Sequence, residues 1–389
     1  MKPLYTTSYT LVSALGCGTA VTMDALRTGH GGLRRNDFLD SKLDTWIGRV
    51  EGVEAAEAAT RLEGFADYRV QRIAQTALDT DGFAAAVARS RAAHGAKRIG
   101  VFLGTSSSGM LQGELAYRAL PLDLHYRDSI NMFGPAAYVR AKLGLEGPAT
   151  VVSTACSSGA KVFATAHRAI EAGLCDAAVV GGVETLCFTT LHGFASLELL
   201  SREPCRPGDA NRAGISLGEG AALELLEKSD TTGQELALLG YGESADAHHM
   251  STPHPEGLGA ALAMRAALER AGLAPGDIGY INLHGTGTRS NDAAEDAGVH
   301  SVVADRVPCS STKGWTGHTL GAAGAIEAVI TLLSLRHGYA PGTLNTRTLD
   351  PALRSRILLQ GRDAPLRYAM SNSFGFGGNN CALLFGKPR

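Results

Sequence analysis

Cys156 lies in the segment VVSTACSSG, where a β-rich run meets the apolar stripe of a helix. A thiol at a helix N-terminus feels the positive end of the macrodipole and nearby backbone N–H groups, both of which favour its thiolate. The small neighbours Ala155, Ser157, Ser158 and Gly159 leave room for a bulky thioester to approach. Most cysteines are inert buried residues, and that reading suits Cys175, Cys187, Cys309 and Cys381. His284 closes the run IGYINLH and opens GTGT, while His318 sits in KGWTGHTLGAAG at the start of another helical stretch. An imidazole so placed can donate a hydrogen bond to a carbonyl oxygen, and a pair can stabilise an enolate.

A zinc site built from Cys156, His284 and His318 is the sharper rival. Catalytic zinc commonly has ligands close in sequence, and neither histidine has a further histidine or carboxylate at that spacing, so no metal is expected. His248 and His249 are adjacent, and on a regular element they would point apart. The segment SNSFGFGGNN (371–380) is neither a dinucleotide fingerprint nor a Walker loop, and GTGT lacks the following lysine. Its glycines let backbone come close to a reacting group. Phe374 and Phe376, alternating with Gly375 and Gly377, read as core aromatics or as a mobile wall of a pocket.

Strands must deliver these residues. IGVFLG, ATVV, DAAVVGGVE and GAALELLEK read as buried strands, and after SDTTGQ (229–234) the order resumes with LALLGYGES, IGYIN, VPCSS, RYAMSNSFG and CALLFGK. STACSSGAKVFATAHRAIEAG and SSTKGWTGHTLGAAGAIEAVITLLSLRHG each put a small-residue turn before a helix. The first carries the stripe Phe163, Ala166, Ile170 and Leu174; the second carries Ile326, Val329, Ile330 and Leu333. Several ordered matches imply an internal duplication, with residues 1–234 and 235–389 as the halves, a seam at Asp230 to Gln234, and the two sheets packed through shared helices.

With 44% hydrophobic and 19% charged residues, the chain has the apolar surface for a compact globule. Lysine plus arginine (36) nearly cancel aspartate plus glutamate (38), so nothing in the overall field points to nucleic acid. The N-terminal MKPLYTTSYTLVSALG reads as a strand rather than a signal peptide. Leu320 to Leu335 contains Glu327 and reads as a buried helix rather than a membrane span. Seven cysteines without a C-x-x-C pair fit reduced thiols in a cytoplasm.

Taken together, TACSSGA, HGTGTRSNDAAE, KGWTGHTLGAAGAIE, SADAHHMSTPHPEG and NSFGFGG resemble the β-ketoacyl-acyl carrier protein synthases of the Cys-His-His type, in order and over nearly the whole chain. The resemblance implies a thiolase-like α/β fold, with duplicated halves in α-β-α-β-α layers and mixed sheets, usually dimeric. It implies Cys156 as the acyl-accepting nucleophile and His284 and His318 as the pair that binds the malonyl thioester carbonyl. Lys313 and Glu327 would be supporting polar residues, Thr286 and Thr288 would hold the phosphopantetheine arm, and Phe374 and Phe376 would form the gate. The backbone N–H groups of Cys156 and Phe376 would form an oxyanion hole. Ser107 stands where the family lines its acyl tunnel, often with a larger side chain, which implies a pocket open toward a partner subunit.

The implied reaction is decarboxylative condensation of malonyl-carrier protein with a cysteine-bound acyl chain, with no cofactor beyond the phosphopantetheine that arrives on the carrier. The implied partners are acyl carrier protein and a second subunit, as a homodimer or as a heterodimer with a chain-length partner. The opening YTTSYTLVSALG lacks the family's valine- and glycine-rich start, and RAGI (212–215) stands where RDGF is usual. These departures lean toward a specialised type II polyketide or aryl-polyene pathway over housekeeping fatty acid elongation. A non-catalytic chain-length partner would lack the nucleophile, and a degradative thiolase would carry a second cysteine before its last glycine-rich loop, whereas Cys381 falls after it. For docking an acidic carrier, Arg69, Arg72 and Arg206 are the candidates.

Overall fold

The computed structural model describes residues 1–56, 62–65, 67–119, 130–230, 232–233 and 235–388. Ten principal strands fall into two sets of five. The first set is β1 (Leu4–Ser13), β2 (Ile99–Gly104), β3 (Ala149–Val152), β4 (Ala177–Glu184) and β5 (Gly220–Glu227). The second is β6 (Ala237–Ala245), β7 (Tyr280–Asn282), β8 (Pro308–Ser310), β9 (Tyr368–Gly375) and β10 (Asn379–Gly386). Spatial order is β1-β5-β4-β2-β3 in the first and β6-β10-β9-β7-β8 in the second. The directions match as well: in each set the first two pairings are antiparallel and the last two parallel. One topology is used twice in one chain.

The two sets meet edge to edge. β1 pairs with β6 through only Leu4–Leu238 and Tyr5–Ala237, so a single hydrogen-bonded sheet runs through both sets where two separate sheets were expected. The sequence gives no cue for a pairing this short. Between the halves lies a core shared by helix α1 (Ser158–Glu171), helix α4 (Ala323–His337) and inward residues of both sets, such as Val180, Leu226, Leu383 and Phe385. Outside each set lies a further apolar cluster under its own helices. This is the α-β-α-β-α stack.

Helix α1 buries Phe163, Ala166 and Ile170, but the fourth residue of the expected stripe is outside it. The helix ends at Glu171, Gly173 turns left-handed at φ +73°, and Leu174 is 60% exposed. Helix α4 is wholly buried up to Leu335, Glu327 included, as a helix enclosed by both strand sets must be. The stretch Leu320–His337 has the length and hydropathy of a membrane span, yet it is 89% buried, which makes it a core helix. The chain runs from the end of β5 at Glu227 to the start of β6 at Ala237; residues 231 and 234 of the expected seam are outside the described residues.

Candidate active site

Parallel strands of a layered α/β fold offer their carboxyl ends to a site. Cys156 follows β3, His284 follows β7, Lys313 and His318 follow β8, and Phe376 follows β9. Cys156 sits on a sharp turn: Ala155 is left-handed at φ +52°, an uncommon conformation for a residue with a Cβ, and α1 starts two residues on. The turn is clamped by Gly375, where a Cβ would lie 2.8 Å from the Thr154 carbonyl oxygen.

The Sγ of Cys156 lies 3.0 Å from Nε2 of His318. The rings of His284 and His318 meet edge to face with centroids 5.3 Å apart, and Phe374 packs against His284 at 6.1 Å. The candidate ligand atoms of Cys156, His284 and His318 all fall within 4.8 Å of one another. Behind His284, Lys313 Nζ donates to the His284 carbonyl oxygen at 2.5 Å, lies 3.2 Å from its Nδ1, and pairs with Glu327. An ammonium only donates, so Nδ1 accepts and the ring proton belongs on Nε2.

Burial governs the electrostatics. It pushes the Cys156 thiol up to about 11, opposed by the Lys313 charge and by hydrogen bonds from the backbone N–H groups of Phe376 and Cys156. The expected helix-terminus effect on the thiolate is therefore outweighed by desolvation in the resting site. Burial and the Lys313 charge hold both imidazoles well below their usual range, so the resting pair is a neutral thiol against a neutral imidazole. Burial also raises Glu327 to about 7 despite its lysine partner. The cluster has the donor set of a zinc site, but Lys313 already places a positive charge against it, and a dication would add to that repulsion.

A cleft of about 620 Å³, its open mouth included, leads to the sulfur and is walled by Thr286, Thr288, Phe374, Phe376, Phe194 and Ile215, among others. The hydroxyls of Thr286 and Thr288 are 2.9 Å apart, and Thr288 also caps helix α3 (Arg289–Val303) by accepting from the Asn291 N–H. Phe376 is half-buried and stacks obliquely on Phe194 of helix α2 (Phe188–Ser196), centroids 5.7 Å apart. Ile215, the last residue of the RAGI departure, lies in the wall itself.

Not every expected residue arrives. Ser107 is buried outside this cleft, its hydroxyl and N–H both given to Glu184. The three arginines proposed for docking are already engaged. Arg69 binds the fully buried Glu219 at 2.5 Å as well as Glu54, Arg72 binds Asp67 at 2.7 Å, and Arg206 binds Glu203 at 2.6 Å. His248 and His249 stand apart from the cleft, with the His248 ring against His254.

Two carboxylates had no expected role. Glu295 accepts from the N–H groups of His284 and Gly285 at 2.8 and 2.7 Å, and Asp292 accepts from Gly287 at 3.1 Å while pairing with Arg212. Their i, i+3 spacing in SNDAAE, directly after the GTGT turn, places both on the helix face toward that turn, and this was the available signal.

The model of the β-ketoacyl synthase N-terminal domain matches residues 34–232, and that of the β-ketoacyl synthase C-terminal domain matches residues 236–347. The chain is 35% identical to 3-oxoacyl-[acyl-carrier-protein] synthase 2 of Rhizobium meliloti, over 99% of this chain and 98% of that one. It is 40% identical to the mitochondrial 3-oxoacyl-[acyl-carrier-protein] synthase of Arabidopsis thaliana, over 64% of this chain and 59% of that one. Among solved structures, a ketosynthase in complex with its chain length factor from Xenorhabdus doucetiae matches with TM-score 0.88 and 38% identity, covering 99% and 98% of the two chains. A β-ketoacyl synthase from Burkholderia phymatum matches at TM-score 0.85 and 29% identity over all of both chains. The chain belongs to the β-ketoacyl synthase family of condensing acyltransferases.

Proposed function

We propose that this chain condenses a malonyl unit, delivered by acyl carrier protein, with an acyl chain held on Cys156, in a specialised type II polyketide or aryl-polyene assembly line. The observation that carries the reading is the 3.0 Å approach of the sulfur to His318 at the head of a cleft that His284 also lines. In the first half-reaction the Cys156 sulfur attacks the acyl-carrier thioester. A new C–S bond forms, the bond to the pantetheine sulfur breaks, and the thiol proton passes by way of His318 Nε2 to the leaving sulfur. The oxyanion of the tetrahedral intermediate is held by the N–H groups of Cys156 and Phe376.

In the second half-reaction the malonyl thioester carbonyl accepts from the Nε2–H of His284 and, once the ring proton of His318 has moved from Nδ1 to Nε2, from the Nε2–H of His318 as well. Carbon dioxide leaves, its bonding pair becomes the enolate, and the enolate carbon attacks the Cys156 thioester and expels the cysteine as a thiolate, which takes up one proton from solvent to restore the resting thiol. Lys313 and Glu327 keep the His284 proton on Nε2, Thr286 and Thr288 hold the pantetheine arm, and Phe374 and Phe376 gate the cleft. None of these steps needs a metal or redox cofactor.

The likeness to a ketosynthase bound to its chain length factor supports a second ketosynthase-like chain as partner. The outer edge of β3 is in keeping with this: its four residues Ala149, Thr150, Val151 and Val152 are only half-buried, and among the described residues the strand pairs with β2 alone. Seven free thiols suit a cytoplasmic location. The equally complete match to the Rhizobium synthase favours housekeeping elongation as the second reading. Incubation with malonyl-carrier protein and a panel of saturated, unsaturated and aryl acyl-carriers, followed by mass analysis, separates the two. Extension of unsaturated or aryl primers is expected; exclusive use of saturated primers would overturn the specialised role.

A further inference from the structure

The Nδ1 atom of His318 is buried and has no hydrogen-bond partner among the described residues. An imidazole that must keep one orientation is ordinarily fixed through its second ring nitrogen. His318 lacks that support, so the direction of its ring depends on how the backbone of residues 318–322 is held. On one side, His318 N–H donates to the Ser216 carbonyl at 2.7 Å, and the Gly218 N–H donates to the His318 carbonyl at 2.9 Å. On the other side stands Glu184, the last residue of β4, which is fully buried.

Six donors surround the Glu184 carboxylate. Oε1 accepts from Thr105 Oγ1 at 3.2 Å, from the Ser107 N–H at 2.9 Å and from the Ser107 hydroxyl. Oε2 accepts from the Ser106 N–H at 2.7 Å, from the Ser106 hydroxyl at 2.6 Å and from the Gly321 N–H at 2.9 Å. Three of the six are backbone N–H groups, which can only donate. No lysine or arginine pairs with Glu184 among the described residues, so its role is not that of a salt bridge.

The Gly321 amide is the one contact that crosses from the second half of the chain, and it lies three residues beyond His318. The segment is wedged: a Cβ at Gly321 would lie 2.4 Å from the Ser106 nitrogen, and a Cβ at Gly159, in the first turn behind Cys156, would lie 2.8 Å from the Gly321 carbonyl oxygen. Leu320 is left-handed at φ +48°, a conformation that persists only where the surroundings impose it. A carboxylate that grips both the 105–107 turn and this strained segment fixes the register between the helix carrying the sulfur and the turn carrying the ring.

We infer that Glu184 is a positioning residue: by holding the Gly321 amide against the 105–107 turn, it sets His318 at hydrogen-bond distance from Cys156. The inference deepens the condensing reading, but its first test is independent of that reading. Glu184→Gln keeps the shape of the side chain while putting an NH2 group where N–H donors converge. The readout is the rate at which iodoacetamide alkylates Cys156 at neutral pH, followed by mass on the peptide that bears it. His318→Ala is expected to slow alkylation about tenfold and Glu184→Gln about threefold, with the double variant no slower than His318→Ala alone, since residues acting through one contact are not additive.

A Glu184→Gln protein that alkylates like the parent, or whose loss adds in full to that of His318→Ala, overturns the inference. Should Glu184→Gln fail to fold, Ser106→Ala removes one donor from the same oxygen and must show the same dependence on His318. A second arm measures malonyl-carrier decarboxylation, where Glu184→Gln should lower kcat about tenfold with KM within about twofold. If the parent shows the alkylation pattern but no decarboxylation, the condensing reading fails and the positioning role stands; if it decarboxylates without the pattern, only the positioning role fails.

Discussion

His284 and His318 present their rings to one cleft, but the protein holds them by opposite means. His284 is gripped from behind: Lys313 reaches its carbonyl oxygen and its Nδ1, and Glu295 takes its backbone N–H. His318 has no partner on Nδ1 among the described residues and instead faces the sulfur through Nε2. A ring locked by a donor on Nδ1 keeps its proton on Nε2 and can serve only as a hydrogen-bond donor there. A ring with nothing on Nδ1 can carry its proton on either nitrogen, so that Nε2 accepts from the thiol with the proton on Nδ1 and donates to a substrate oxygen once that proton has moved to Nε2. In the proposed reaction this difference suits His318 to proton transfer and His284 to fixed oxyanion binding.

Removal of either ring gives the largest effect. His284→Ala and His318→Ala should each slow decarboxylation of malonyl-carrier about a hundredfold or more, since each deletes one donor to the developing enolate. They should part company at the thiol: His318→Ala slows Cys156 alkylation and His284→Ala leaves it near the parent rate. Equal effects of both variants on alkylation would abolish the division of labour. Near-normal decarboxylation by either variant would remove that ring from the reaction.

Lys313→Met attacks the grip on His284 and removes the charge that also bears on Cys156 and His318. The variant leaves Glu327 buried without its counter-charge, a change that in buried pairs costs about 3–5 kcal/mol, eased here because burial already favours the protonated carboxyl up to about 7. Decarboxylation should fall about tenfold or more as the Nδ1 partner is lost. Lys313→Met combined with Glu327→Gln should recover most of the thermal stability and none of the rate. Recovery of the rate by the double variant would show that the lysine only neutralises the glutamate.

What was legible in the sequence follows the same division. The strand runs and the turns that end them were readable because both faces of a layered sheet are buried, which makes each strand a continuous apolar stretch with glycine at its end. Cys156, His284 and His318 sit on such turns, and their convergence followed from the duplicated order. The supports were less visible. Glu184 gathers donors from positions 78 and 137 residues away in the chain, and no local period marks such a contact. Ser107 was assigned to a tunnel wall from its place in a motif, although its polar groups are taken by that same carboxylate. Leu174 continued the apolar period of α1 in sequence, yet a left-handed glycine had already ended the helix.

The smallest effect sharpens the comparison from behind His284. Burial raises the Glu295 carboxyl from 4.5 to about 7, even though it accepts N–H groups from His284 and Gly285. Between those two values the folded state holds a proton that the unfolded chain has released, so the stabilisation is complete below about 4.5 and is lost as the pH rises through about 7. The buried imidazoles run the other way, because their folded values lie below 6.5 and stability falls as the pH drops beneath it. Comparing Glu295→Gln with the parent cancels the histidine contribution and isolates the carboxyl. Whatever constant offset the amide introduces, the difference in unfolding free energy should shift toward the variant by up to about 1.4 kcal/mol per pH unit between about pH 5 and pH 7, then level off. Denaturant titrations at several pH values measure it. A difference that stays flat across that range would mean Glu295 is ionised throughout, and the backbone of His284 would then be held by a charge rather than by a neutral acid.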